Sequence, residues 1–158
     1  MKTKTIISAA LLLFVVGSAT YMVVNEVRSG SRSPVAGSGE SLALPAGSKV
    51  VLYYFRGNER CQTCMKFESY TEQAIQEAFA GQLNNGELVW KMVNTDEPAN
   101  KHFVSDYQLY SKSIVVVENR DGKRGRWKNL EKIWELVGDK NTFVKYITDE
   151  VGTYLEVN

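Results

Sequence analysis

The stretch that decides the fold is Val50-Val51-Leu52-Tyr53-Tyr54-Phe55, a continuous run of β-branched and aromatic residues. Such a run without polar alternation is typical of a strand buried on both faces. Gly57 and Asn58 then favour a loop, and Cys61-Gln62-Thr63-Cys64 follows. Beyond it, apolar or small residues recur every four positions at Phe67, Thr71, Ile75 and Phe79. This spacing predicts an amphipathic helix over about 61–79, directly after the strand and its loop.

The rest of the chain predicts further strands and helices in alternation. We expect a second strand at 88–93, a short helix at 99–107 with Phe103 and Val104 inward, a third strand at 113–118, a turn at 119–122, a fourth strand around 125–128, and a last helix capped by Asp139. The order β-α-β-α-β-β-α predicts an α/β fold with a central four-stranded mixed sheet. Because strands joined through helices pair in parallel, we expect antiparallel pairing only in the final hairpin.

The two cysteines are the candidate catalytic residues. Residues three apart at the start of a helix share a face at a separation that a disulfide accepts. Cys61, in the first turn, would meet free backbone N–H groups that stabilise a thiolate, so its pKa should fall below the ~8.5 of a free thiol. Arg60 would add to this effect. Cys61 would then attack a disulfide, and Cys64 would resolve the mixed disulfide; the redox direction stays open.

The two cysteines could also bind a metal or metalloid. A structural zinc site needs four ligands, and the chain offers only one histidine, His102, in another predicted helix. Two thiolates could instead bind a soft ion such as copper(I), or a metalloid such as arsenite. The alternatives to an oxidoreductase are therefore a dithiol metal or metalloid module and a scaffold without redox activity. No residue pattern indicates a cofactor.

The N-terminal part of the chain predicts export from the cytoplasm. Residues 5–25 carry no charge and follow Lys2 and Lys4, which is typical of a membrane anchor or a cleaved signal peptide, so we assign this role to 1–26. Residues 27–48, rich in Ser, Gly and Pro, predict a flexible linker, and 49–158 the folded domain. We expect the domain in the cell envelope outside the cytoplasm, on the periplasmic side, or secreted after cleavage. From residue 49 onward, 15 Lys and Arg balance 16 Asp and Glu, which argues against nucleic acid as a partner.

From about 49 to 155 the chain resembles the thioredoxin superfamily. The landmarks are the strand at 50–55 before the cysteine pair, Val93-Asn94-Thr95-Asp96, Tyr107-Gln108-Leu109 and Asp121-Gly122. In detail it is similar to bacterial membrane-anchored thioredoxin-like proteins catalogued as nitrophenyl compound nitroreductase subunits. The resemblance implies a thioredoxin-like fold and a redox partner protein.

Lys112 is the main departure from that family. It stands where thioredoxins carry a cis-proline, so we expect a trans bond there and altered substrate docking. Arg60 likewise replaces the tryptophan that precedes the first cysteine. Our hypothesis from the sequence is that Lys112 lies near the Cys61 sulfur and lowers the pKa of that thiol.

Overall fold

The computed structural model describes residues 44–156. Its elements are strand β1 (Val50–Arg56), helix α1 (Gln62–Asn84), strand β2 (Leu88–Asn94), a 3-10 turn (Pro98–Asn100), helix α2 (His102–Asp106), strands β3 (Ser113–Arg120) and β4 (Lys123–Asn129), and helices α3 (Ile133–Leu136) and α4 (Lys140–Leu155). The predicted strands and the three predicted helices are present, and α3 is an addition. The predicted anchor and most of the predicted linker lie outside the described residues.

The four strands form one mixed sheet in the order β2-β1-β3-β4. β1 pairs in parallel with β2, as predicted, but in antiparallel with β3, which the sequence interpretation had wrong. The reason is length. The only α-helix between β2 and β3 has five residues, about 7.5 Å, whereas a seven-residue strand spans about 20 Å. The connection thus contains no α-helix long enough to run back along the sheet, and β3 starts where β2 ends and runs the other way.

As a result, three strand termini meet at one edge of the sheet. Arg56 at the end of β1 pairs with Asn94 at the end of β2, and Phe55 pairs with Ser113 at the start of β3. We call this the Arg56 edge. Helix α1 also begins here, because only five residues separate it from β1.

The alternation of β1 divides the core into two layers. Leu52 and Tyr54 face a cluster that includes Phe67 and Ile75 of α1 and Ile147 of α4. The other face packs against a different cluster, formed with α2: Val51, Tyr53, Phe55, Phe103 and Tyr107. Burial on both faces confirms the reading of the apolar run.

Helix boundaries follow local signals. Asp139 caps α4, with its carboxylate accepting from the N–H groups of Asn141 and Thr142. The long helix α1 has non-helical dihedral angles at Phe79, where the sequence predicted its end, and then continues for five more residues. In α2, Phe103 is buried as expected, but Val104 is 42% exposed, because adjacent side chains on a helix point about 100° apart.

The packed part of the chain begins before residue 49. Leu44 is buried against the Tyr53 face of the sheet. The Asn119 amide donates to the Pro45 carbonyl and to the Ser48 hydroxyl, each at 2.8 Å. Residues 44–48, which their composition placed in the linker, are therefore fixed at the end of the sheet opposite the Arg56 edge. No helix within the described residues is long and apolar enough to cross a membrane.

Candidate redox site

Cys61 and Cys64 form a disulfide at the start of α1, with their Cα atoms 5.0 Å apart. Cys61 is the N-cap of the helix, one position earlier than the first turn that the sequence predicted. Its Sγ accepts from the Cys64 N–H at 3.2 Å, and Cys64 Sγ accepts from the Cys61 N–H at 3.1 Å. The N–H group of the N-cap and one N–H group of the first turn thus donate to the two sulfurs.

The two cysteines differ in access to solvent. Cys61 is exposed, whereas Cys64 is 4% exposed and faces the core. An outer sulfur that solutes can reach and an inner sulfur one turn deeper are what a two-step thiol exchange needs. It also fits the order of attack expected from the position of Cys61 at the start of the helix.

Tyr54 is hydrogen-bonded to the backbone of the inner cysteine, Cys64. Its hydroxyl donates to the Cys64 carbonyl at 3.2 Å inside the core. Burial, with a smaller contribution from the Glu68 charge, raises the pKa of Tyr54 to about 12, so the hydroxyl stays a donor at neutral pH. The sequence interpretation treated Tyr54 as a core residue only. The available signal was general: a phenol in a buried strand needs a hydrogen-bond partner.

Lys112 reaches the site from the start of β3, but it contacts the inner sulfur. Its Nζ lies 3.1 Å from Cys64 Sγ and donates to the Glu59 carbonyl, also at 3.1 Å. Lys112 therefore lies at the cysteine pair, as expected, but its contact is with Cys64 Sγ, and its effect on the pKa of Cys61 stays a prediction. The carbonyl of Glu59 holds the ammonium group on the inner side of the loop. Residues 44–156 contain no cis peptide bond, which confirms the expected trans geometry before Lys112.

Arg60 is turned toward the helix. Its guanidinium pairs with the Glu68 carboxylate at 2.6 Å, one of the shortest ion pairs in the described residues. The guanidinium is thus engaged by Glu68, and the expected effect of Arg60 on the pKa of Cys61 stays a prediction.

The loop 57–60 before the disulfide is tied to the end of β2. The Asp96 carboxylate accepts from the Asn58 N–H at 2.7 Å, and the Asn94 amide donates to the Asn58 side chain at 2.8 Å. Gly57 allows this approach, because a Cβ there would lie 2.8 Å from Asp96 Oδ2. Trp134 adds support by donating to the Lys112 carbonyl at 3.1 Å. Sequence reasoning had noted Asp96 only as part of the family resemblance, and no local pattern predicted the contact of Trp134.

Other groups singled out in the sequence lie elsewhere. His102 contacts the Ala99 carbonyl and Asp106 within its own helix region. Within residues 44–156, no three or more His, Cys, Asp or Glu side chains are placed to share a metal ion.

Comparisons with known proteins add little to this picture. No protein-family model and no curated protein matches the chain. One solved structure, described as "Structure of a malarial protein", is 16% identical, with a TM-score of 0.36 over 52% of this chain and 81% of its own. A likeness at that level carries no argument about fold or function.

Proposed function

We propose that this protein is a thioredoxin-like thiol–disulfide oxidoreductase of the cell envelope that exchanges disulfides with a protein partner. The observation that carries the proposal is the Cys61–Cys64 disulfide at the N-terminus of α1, with one sulfur exposed and the other buried. The strand order β2-β1-β3-β4 also supports it, since it brings the start of α1 and the start of β3 to the same edge.

The exchange proceeds in two balanced steps. In the reduced protein, the Cys61 thiolate attacks one sulfur of the partner disulfide, forms a mixed disulfide and releases the second partner sulfur as a thiolate. Cys64 then loses its proton and attacks Cys61 Sγ. The Cys61–Cys64 bond forms, and the first partner sulfur leaves as a thiolate. Two electrons pass to the partner, and the same steps in reverse oxidise a partner dithiol.

Lys112 has a positioning role in this scheme. An ammonium group 3.1 Å from Cys64 Sγ favours the negative form of that sulfur. The attack of Cys64 on the mixed disulfide needs this form, because a thiolate rather than a thiol is the nucleophile. Lys112 therefore assists the second step.

Trapping tests the proposal directly. Cys64→Ser removes the resolving sulfur, so the mixed disulfide between Cys61 and the partner should persist and be released by a reductant. The matched control is Cys61→Ser, which keeps only the buried sulfur and should capture at least tenfold less. If both variants capture equally little in repeated preparations from the native cell envelope, the oxidoreductase proposal is wrong.

The proposed membrane tether is the segment 1–26, with the folded domain outside the cytoplasm. Its support is the charge-free stretch of residues 5–25 after two lysines. We expect the full chain to fractionate with membranes and to resist extraction with alkaline carbonate. External protease should cut the chain only when the protease can reach the outer face of the cytoplasmic membrane. Release of a shorter soluble chain would show cleavage instead.

A further inference from the structure

A cavity of about 230 Å³ opens beside the disulfide at the Arg56 edge. Its polar lining comes from Arg56, Thr95, Ser111 and Lys112, and Phe55 is among the apolar residues that complete it. Lys112 connects this cavity to the redox centre, because this residue lines the cavity and its Nζ lies 3.1 Å from Cys64 Sγ. A group bound to Lys112 would therefore lie close to the sulfurs.

The lining of this cavity carries two positive charges and no carboxylate. Asp96 is at the same edge but does not line the cavity, and its carboxylate is engaged with the Asn58 N–H at 2.7 Å. Glu68 is paired with Arg60. Among the described residues, those that line the cavity therefore contribute positive charge alone.

Both cations have unused hydrogen-bonding capacity. Arg56 is partly buried, yet within residues 44–156 its guanidinium donates one hydrogen bond, to the Gly57 carbonyl at 3.1 Å, and its Nε has no partner. A guanidinium carries five N–H donors. Lys112 uses two of its three donors, on the Glu59 carbonyl and Cys64 Sγ. A partly desolvated pair of cations with free donors favours an anion.

We propose that this cavity binds a carboxylate carried by the disulfide or thiol substrate, within a few bonds of its reacting sulfur. This inference rests on the proposed function and names its substrate class: acidic disulfides and thiols. The carboxylate would accept from the Arg56 guanidinium and from the free Lys112 N–H, with the hydroxyls of Thr95 and Ser111 alongside. Two charge-assisted hydrogen bonds then hold the substrate sulfur near Cys61.

The test uses full-length Cys64→Ser protein in detergent and three symmetrical small disulfides of similar size. These are dithiodipropionate, 2-hydroxyethyl disulfide and cystamine, which are negative, neutral and positive. Each reacts in one step, in which Cys61 sulfur bonds to one half and the other half leaves as a thiolate. We expect the acid to react about fivefold faster than the neutral disulfide, after correction for reactivity with a free cysteine peptide, and the amine slowest.

Variants assign the preference to the cavity. In the Cys64→Ser background, Arg56→Gln should lower the ratio of acid to neutral rate constants about threefold or more. Lys66→Gln removes one positive charge from α1 without touching the cavity and should keep the ratio. A circular dichroism melt tests whether Arg56→Gln is folded. If it is unfolded, the proposal is tested with Arg56 unchanged: the acid should react fastest and the amine slowest, and added salt should reduce the difference between their rate constants.

The outcomes separate the two proposals. Equal rates for acid and neutral disulfides, or a faster amine, overturn the carboxylate site and leave thiol exchange standing. A protein that reacts with none of the three loses both proposals. Further disulfides identify the source of the carboxylate. They are oxidised glutathione and a pair of cystine peptides with Asp or Asn beside the sulfur. A preference for Asp over Asn assigns the cavity to an acidic partner protein, and a preference seen only with small disulfides assigns it to a small acidic thiol.

Discussion

The Lys112 ammonium nitrogen lies 3.1 Å from the Sγ of Cys64, the less accessible of the two sulfurs. The same nitrogen is anchored on the Glu59 carbonyl, and the Lys112 carbonyl accepts from Trp134. The lysine is thus held at both its backbone and its side chain, which keeps its ammonium group in contact with Cys64 Sγ.

Replacing Lys112 should make the protein a stronger reductant. Lys112→Met removes the charge that stabilises the reduced, negative form of Cys64, so the reduction potential should fall by about 30 mV, the equivalent of about tenfold in the equilibrium constant. Equilibration with a dithiothreitol redox buffer measures it. Lys123→Met, at the far end of the β3–β4 hairpin, is the matched control and should leave the potential unchanged. An unchanged potential in Lys112→Met would contradict the role given to this contact.

Gly57 and Asp96 should prove energetically coupled. Gly57→Ala places a Cβ where Asp96 Oδ2 lies 2.8 Å away, so the carboxylate must move and loosen its bond to the Asn58 N–H. We expect a loss of about 1 kcal/mol in the free energy of unfolding. In the Asp96→Ala background, the loss of unfolding free energy caused by Gly57→Ala should be smaller by at least about 0.5 kcal/mol. Urea unfolding of the four proteins in this cycle gives the coupling, and strict additivity would exclude the contact.

Thr71 offers a stabilising substitution. It is fully buried in α1, and its hydroxyl has no hydrogen-bond partner among the described residues. Thr71→Val keeps the shape and removes a desolvated polar group, so the free energy of unfolding should rise by about 1 kcal/mol. Thr71→Ala, which removes the hydroxyl but also a methyl group, is the comparison and should not stabilise. A loss of stability in Thr71→Val would mean that the hydroxyl is paired in solution.

Glu118 should make stability depend on acid pH. Its side chain is 1% exposed and pairs with Arg120 at 3.0 Å and Arg126 at 3.8 Å. Burial raises the pKa of this carboxyl, but hydrogen bonds from Arg120 and from the Arg126 N–H outweigh it and hold the pKa below the usual 4.5. A folded pKa below the unfolded one means that the stabilisation is present above about pH 4.5 and is lost as the pH falls through the folded pKa.

The measurement for Glu118 is the free energy of unfolding from pH 7 down to pH 3. Glu118→Gln should be less stable than the unchanged chain at neutral pH, and the gap should narrow below pH 4.5. Glu135→Gln, at an exposed position of α3, should follow the unchanged chain throughout. A gap that stays constant with pH would rule out ionised Glu118 as the cause.

Local signals in the sequence predicted more of this molecule than long-range ones. The apolar run of β1, the helix that follows the cysteines and the Asp139 cap each depend on a few neighbouring residues, and each is confirmed. The direction of β3 depends on whether the helix after β2 is long enough to run back along the sheet. The sequence predicted a helix at 99–107, whereas α2 has only five residues. At the site, the spacing of Cys61 and Cys64 predicted that the two sulfurs can form a disulfide. It could not predict which sulfur Lys112 meets, because that depends on how β3 lies against the loop 57–60.

The seating of Leu44 and Ser48 beside Asn119 has a practical consequence. The polypeptide enters the sheet at one end of β1, and the disulfide lies beyond the other end, about 20 Å away across seven residues. A bead or fused carrier joined directly at Leu44 would therefore be attached at the end of the sheet remote from Cys61, so the point of attachment does not cover the exposed sulfur.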